Sequence, residues 1–335
     1  MSAIPKQRSA PIVTRKPTGK PPWPILLLAG AEKSGKSYAA AEASASPAIG
    51  RTLWVSVGED DPDEYGAIPG ADFEIVQHDG TWRGILAAVT AAVAQPSADG
   101  KPTLIVVDSI GRVWDLLSAM AQADANQRAA RNAAKFNRPK EDEDARIARD
   151  QWNTAKDRWQ DLLDVIRGHA GPTILTARLE KSTVMNDKGE PTKEKDWKIK
   201  AEKTLGSDVG VIVEMPARGE AFLVGVRSLR FKPERERTPY PGFTVDRLWR
   251  DLGVTEPGMT APRQHVSNLA DRSQHIAVIN EVALLADRVG KPRAEVMAEW
   301  AESHDGQRIS DATDLGGLEL LRDDLAARVP EGAPA

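Results

Sequence analysis

The segment Gly30-Ala31-Glu32-Lys33-Ser34-Gly35-Lys36-Ser37 stands between an apolar run at 25–29 and a helical pattern that begins at Ser37. A glycine, four residues and then Gly-Lys-Ser is the spacing of a loop that cradles phosphates. Each part has a chemical reason. The glycines let the backbone curl so that successive N–H groups and a helix N-terminus face the anion. Lys36 can then reach the β- and γ-phosphates, and the Ser37 hydroxyl can join the shell of a Mg²⁺ ion. The ligands implied are ATP and Mg²⁺.

Such chemistry also needs carboxylates. Leu104-Ile105-Val106-Val107-Asp108 places Asp108 at the end of a second apolar run, where it can serve as the Walker B partner of the magnesium. A base that orients the attacking water should come from a neighbouring strand end. Leu53-Trp54-Val55-Ser56-Val57-Gly58-Glu59 ends in the right residue type, and Asp60, Asp61 and Asp63 follow closely enough to compete with Glu59 for that role.

The elements that must position these groups are legible as runs and periodicities. Apolar stretches at 25–29, 53–57, 104–107 and 173–176 lack polar alternation, as strands buried on both faces of a parallel sheet do. Helical patterns at 37–46 and 82–94 fall between them, and strand alternating with helix predicts an α/β fold. The segment 112–167 reads as helix broken near Pro139, with Trp152, Trp159, Leu163 and Ile166 forming a core-facing stripe. A hairpin is expected at 179–200 around Asn186-Asp187-Lys188-Gly189, too poor in apolar residues to be a core element. Further strands are expected at 209–215 and 221–226 and a linker at 257–262. Short helices at 271–289, 292–303 and 314–328 complete the pattern.

The domains predicted are a disordered basic arm over 1–22, an ATPase domain over 23–256 and a helical C-terminal segment over 263–330. The arm holds Pro5, Pro11, Pro17, Pro21 and Pro22, which exclude a helix or a central strand.

With 41% hydrophobic and 28% charged residues in 335, the chain can build a substantial core. Zero cysteines exclude disulfides, thiolate metal sites and cysteine nucleophiles, and five histidines leave little for a histidine-built metal site. The run at 25–29 is far short of the ~20 residues a membrane span requires. A cytoplasmic protein without a membrane partner is expected.

The net charge of −4 hides segregation. Residues 1–22 carry Lys6, Arg8, Arg15, Lys16 and Lys20 with no acid, whereas 260–335 carry 13 acids against 8 Lys and Arg. Basic residues also cluster at Arg128, Arg131, Lys135, Arg138 and Lys140, just before the acidic run 141–144. A third cluster, at Lys181, Lys188, Lys193, Lys195, Lys198 and Lys200, lies in the expected hairpin. Segregation of this kind suits a face for a polyanion.

The order GAEKSGKS, WVSVGE, LIVVDS and TILTAR followed by a lysine-rich hairpin resembles the RecA-like class of P-loop ATPases. GEDDPDEYGAIPGADFEIVQHDGTW, VVDSIGRVWDLL and QWNTAKDRWQDLL add a likeness to a bacteriophage group of AAA-family ATPases related to Sak-type single-strand annealing proteins. The resemblance covers about residues 23–250. It implies a RecA-like core with Lys36 and Ser37 as nucleotide ligands, Asp108 as magnesium partner and Glu59 as catalytic glutamate. Thr176 falls where RecA proteins carry a glutamine that senses the γ-phosphate, and threonine is a shorter substitute. The hairpin falls at the second DNA loop of that class and the 128–140 cluster near the first.

The resemblance further implies a ring or filament in which a cation completes the neighbour's site. Arg227 is the first choice and Arg230 or Lys232 the reserve. A guanidinium best matches the spread charge of a transferring phosphoryl group.

The function expected is a phage recombination ATPase that acts on single-stranded DNA in annealing, repair or replication. A hexameric helicase, or a nucleotide-gated switch or kinase without DNA, would use the same core. The acidic C-terminal segment could cap the core or dock a single-strand-binding protein.

Overall fold

The computed structural model describes residues 14–59, 62–136, 144–185, 191–233, 235, 237–265, 269–303, 308–312 and 315–329. The chain opens with β1 (Ile25–Gly30), α1 (Lys36–Ala43), β2 (Arg51–Ser56), a 3-10 turn at Pro62–Ala67, β3 (Glu74–Ile75), α2 (Trp82–Val93) and β4 (Thr103–Asp108). Two long helices follow, α3 (Ile110–Lys135) and α4 (Arg149–Gly168), then a long hairpin of β5 (Thr173–Met185) and β6 (Pro191–Lys200). The first compact unit, residues 1–264, closes with α5 (Leu205–Asp208), β7 (Val211–Met215), β8 (Phe222–Val226), β9 (Thr238–Pro239) and α6 (Val245–Asp251). A second unit, residues 265–335, contains α7 (Leu269–Arg288), α8 (Arg293–Ser303) and α9 (Leu315–Ala327) around Val282, Trp300, Leu318 and Leu325.

The strands of the first unit form one mixed sheet in the order β3-β2-β4-β5-β1-β7-β8-β9, with β6 paired to β5 beyond this path. Pairs from β3 through β7 are parallel, and those made by β6, β8 and β9 are antiparallel. Strands β1 and β4 are buried along their whole length, which is why they read as unbroken apolar runs. Alternation sorts their side chains into two cores. Ile25, Leu27, Ile105, Val107, Leu175 and Ala177 face α2, α3 and α4. Leu26, Leu28, Leu104, Val106 and Ile174 face α1 and α6.

The expected tryptophan stripe lines the first of these cores. Trp159, Leu163 and Ile166 are buried there, and Trp152 stacks on Trp114 at 6.2 Å. Helix α3 begins two residues before the expected start, because the Ser109 hydroxyl accepts the Arg112 N–H as an N-cap. Pro139, expected to break the helix, lies outside the described residues.

One expectation needs correction. A short strand at 173–176 and a separate hairpin are instead a single continuous strand, and its root belongs to the core. Leu179 is 5% exposed, and Trp197 and Ile199 pack against the same cluster. Apolar residues at alternate positions, 177 and 179 on one arm and 197 and 199 on the other, carry the buried face outward.

The segment at 257–262 is tied down at its end, where the Ala261 N–H donates to the Pro21 carbonyl. Next to it Arg263 donates to the carbonyls of Trp23 (2.6 Å) and His169 (2.9 Å). Burial, with the charge of Arg167 beside it, pulls the Arg263 guanidinium down to about 10. Among the described residues no helix is long and apolar enough to cross a membrane.

Trp159 is fully buried between α3, α4 and the sheet. Trp159→Ala should cost about 3–5 kcal/mol in chemical denaturation; a loss below about 1 kcal/mol would place the indole outside the core.

Candidate active site

The loop after β1 is shaped by two close approaches and two left-handed residues. A Cβ on Gly30 would collide with the Ser34 hydroxyl and lie 2.9 Å from the Met215 carbonyl, so only glycine fits there. Lys33 (φ 57°) and Gly35 (φ 99°) turn the chain back, and Gly35 serves as the N-cap of α1. The N-cap side chains of α2, α3 and α6, those of Thr81, Ser109 and Thr244, accept the backbone N–H groups of Gly84, Arg112 and Arg247. The N-cap of α1 has no side-chain bond. The first N–H groups of α1 also have no acceptor within the helix, which leaves them to an anion. Ser34 adds a buried hydroxyl oxygen with no hydrogen-bond partner.

Strand β5 lies between β1 and β4, and this adjacency assembles the rest. Leu28 pairs with Thr176 and Gly30 with Arg178 on one side of β5, while Val106 pairs with Ile174 on the other. The Thr176 hydroxyl therefore donates to Asp108 Oδ1. Ser37 donates to the same carboxylate from the start of α1.

Asp108 is 5% exposed. Burial pushes its carboxyl up from the ordinary range, against the hydrogen bonds of Thr176 and Ser37; the Glu59 charge adds to the rise and Lys36 opposes it. Burial likewise pulls the Lys36 ammonium down, while Asp108 and Glu59 favour its charge. Its Nζ donates to the Ala31 carbonyl at 2.9 Å, folded back over the loop.

A hydroxyl beside a buried carboxylate at the mouth of a phosphate loop is the donor set Mg²⁺ takes when phosphate oxygens and water supply the rest. Ser37 and Asp108 fit that ion. Among the described residues no cluster of three His, Cys, Asp or Glu offers a metal site made by protein alone.

Glu59 stands three residues beyond β2, in a pairing that sequence reasoning missed. Arg178 Nη2 donates to both of its carboxylate oxygens at 3.0 Å, and Arg112 Nε lies 3.5 Å from Oε1. The Arg112 stem rests against Gly58, whose φ of 62° and missing side chain make room for it. Arg112 also meets Asp115 at 3.6 Å, Asp115 meets Lys200 at 3.9 Å and Lys200 meets Glu180 at 3.4 Å. A chain of charges thus runs from Glu59 to the root of the hairpin. Strand alternation held a clue to Arg178, since it shares a face with Thr176 two residues before it. Asp60 and Asp61 lie outside the described residues, and Asp63 lies in the 3-10 turn.

The other expected residues are spread more widely. Arg227 is exposed just beyond β8 and donates its N–H to Gly210, at the opposite end of the sheet from the phosphate loop. Arg230 reaches the Gly253 carbonyl at 3.4 Å, and Lys232 is exposed. Arg128 is forked onto Asp150 at 2.8 and 3.3 Å with Asp124 nearby, so its charge is offset in place; Arg131 and Lys135 are exposed. On the hairpin Lys193 and Lys198 are exposed, and Lys181 lies 4.9 Å over the Trp197 ring. Lys195 is placed in β6 by its backbone, opposite Thr183. Arg138, Lys140 and Lys188 fall outside the described residues.

A glycine-lined loop at the carboxyl end of β1, a buried aspartate at the end of β4 and an inserted strand that bridges them make up a P-loop α/β core. The chain belongs to the AAA domain family, whose pattern matches residues 24–237. No curated protein matches it. Among solved structures it is similar to the RadB recombinase, with 20% identity over 67% of this chain and 89% of that one, at a TM-score of 0.38. It is also similar to an ATPase from the type III secretion system of pathogenic bacteria, with 13% identity over 92% of this chain and 80% of that one, at a TM-score of 0.34. Likenesses this loose bear on neither activity nor partners.

Gly30→Ala should destabilise the protein by about 1–3 kcal/mol through overpacking. Ser34→Gly in the same chain should recover only part of the loss, because the Met215 carbonyl cannot yield as a side chain can. Thermal unfolding of both variants tests this, and an unchanged Gly30→Ala melting temperature would remove the steric account.

Proposed function

We propose that this chain is an ATPase that binds single-stranded DNA and couples the two activities through β5. The observation that carries the reading is the continuity of that strand. Thr176 is bonded to Asp108 and Arg178 to Glu59, and the same strand runs on into a lysine-bearing hairpin. Whatever alters the phosphate end of β5 acts on the hairpin end.

In this reading the loop 30–37 binds ATP, with Lys36 on the β- and γ-phosphates and the first turn of α1 facing them. Mg²⁺, held by Ser37 and Asp108, neutralises phosphate charge when bound. Glu59 orients the attacking water and takes its proton, and Thr176 reports the state of the site along β5. Arg227, too distant to serve its own subunit, would complete a neighbour's site in a ring or filament; Arg230 and Lys232 are the alternatives on the same segment. DNA phosphates would be held by hairpin lysines with Arg131, Lys135 and the 138–140 cluster. Arg128, already paired, would contribute least.

The motif order supports a bacteriophage protein related to Sak-type annealing proteins, acting in recombination, repair or replication in the cytoplasm of an infected host. The ATPase domain would span 23–256, preceded by a basic arm over 1–22. The acidic helical segment 263–330 would dock a single-strand-binding protein.

ATP turnover with and without single-stranded DNA tests the proposal. Wild type should hydrolyse ATP faster with DNA, and Lys36→Ala should lose nucleotide binding while keeping its fold. Mg-ATP should stabilise wild type by about 2.7 kcal/mol at a hundredfold excess over Kd and leave the variant unmoved. Equal stabilisation of both would refute the loop assignment, and turnover indifferent to DNA would favour a switch or kinase.

If about four phosphates are neutralised per subunit, log affinity for single strands should fall with log salt at a slope near −3. Charge reversal at Lys181, Lys193 and Lys198 should weaken binding across sequences and flatten that slope. Unchanged affinity would remove the hairpin from the DNA site.

A further inference from the structure

The pairing of Glu59 is at odds with work as a base. Both oxygens of this carboxylate accept from a single Arg178 nitrogen, with a second cation at 3.5 Å, so about two of its four acceptor sites are taken. Release of that guanidinium would open both oxygens to a water. Drawing Arg178 away would free Glu59 to act.

The position of Arg178 indicates what does so. It is level with Gly30 across β5 and β1, so its backbone sits beside the first residue of the phosphate loop. Its charge is near enough to Lys36 to oppose that ammonium. The two cations are similarly exposed, at 41% for Arg178 and 36% for Arg112, but Arg112 rests on Gly58 and also pairs with Asp115, whereas Arg178 pairs with Glu59. A terminal phosphate carries more charge than a carboxylate and accepts a guanidinium fork as readily. A nucleoside diphosphate has no group at that place.

We propose that Arg178 is shared between two anions, exchanging the Glu59 carboxylate for the terminal phosphate of a bound nucleoside triphosphate, so that only the triphosphate releases Glu59 for catalysis. The inference rests on the nucleotide-binding reading above. Arg112 stays with Glu59 throughout and keeps it in place. Because Arg178 is part of β5, its change of partner is also felt at the hairpin.

The test is a binding cycle with a slowly hydrolysed ATP analogue and with ADP, on wild type, Glu59→Gln, Arg178→Ala and the double variant. In Glu59→Gln the guanidinium has lost its competing charge, so the triphosphate should bind about tenfold tighter, of the size of one charged hydrogen bond, with ADP unchanged. Arg178→Ala should weaken the triphosphate about tenfold or more and ADP by less than about twofold. In the double variant the gain from Glu59→Gln should vanish.

A merely structural Arg178 would move both nucleotides together, and that outcome overturns the inference. So does a Glu59→Gln gain that survives without Arg178, or no gain at all. Should Arg178→Ala lower the melting temperature sharply, Arg178→Lys keeps the charge without the fork and should still weaken the triphosphate selectively. If wild type binds the triphosphate but the cycle is additive, this inference alone falls; if wild type binds neither nucleotide, the nucleotide reading falls with it.

Discussion

A buried carboxylate organises this molecule. Asp108 is almost wholly removed from solvent, and an ionised group in that position is tolerable only where hydrogen bonds and an opposite charge surround it. Thr176 supplies one donor, Ser37 another, and Lys36 the nearby cation. Ser37 and Lys36 come from α1 and Thr176 from β5, so β5 must lie directly beside β4, and α1 must begin where β1 ends. The strand order and the tight turn at Gly30 follow from that need as much as from apolar burial. The same arrangement leaves the start of α1 without a side-chain cap and the Ser34 hydroxyl without a partner. These are the local costs of a loop shaped to face an anion.

Much of this was open to reading because it is local. The loop declares itself by glycine spacing, and Asp108 by its place at the end of an apolar run. The tryptophans of α4 show themselves by helical periodicity. What escaped notice depends on which strands are neighbours. Arg178 becomes a partner of Glu59 only because β5 stands between β4 and β1, and no spacing within 173–180 states that. Arg128 looked like a free cation in its cluster, but Asp150, which offsets it, arrives from α4. The low average hydropathy of the hairpin conceals an alternation confined to its root. At its root Leu179, Trp197 and Ile199 share one face and Lys198 and Lys200 the other, while Lys181 continues the apolar face over the Trp197 ring.

The ionic chain from Glu59 through Arg112, Asp115 and Lys200 to Glu180 links parts of the fold that sequence order keeps far apart. Individually such half-exposed pairs contribute little stability. Their value lies in connection. Helix α3 also presses its first turn against the returning arm of the hairpin, where a side chain on Gly111 would collide with the Lys200 carbonyl. Electrostatic and steric contacts therefore converge on one place, the point where the hairpin leaves the body of the sheet.

That convergence gives β5 a mechanical character. Strand residues alternate faces, so sliding β5 by one position would turn Thr176 and Arg178 away from the site and carry Ala177 and Leu179 out of the core. Translation along the strand axis is closed to it, and tilting about its root is what remains. From Arg178 to Met185 the strand extends about 23 Å at roughly 3.3 Å per residue. A rotation of about 5° at Arg178 would thus carry the tip roughly 2 Å, about the difference between a hydrogen bond and none. The hairpin is a lever whose fulcrum is the cluster of charges around Arg178 and Lys200.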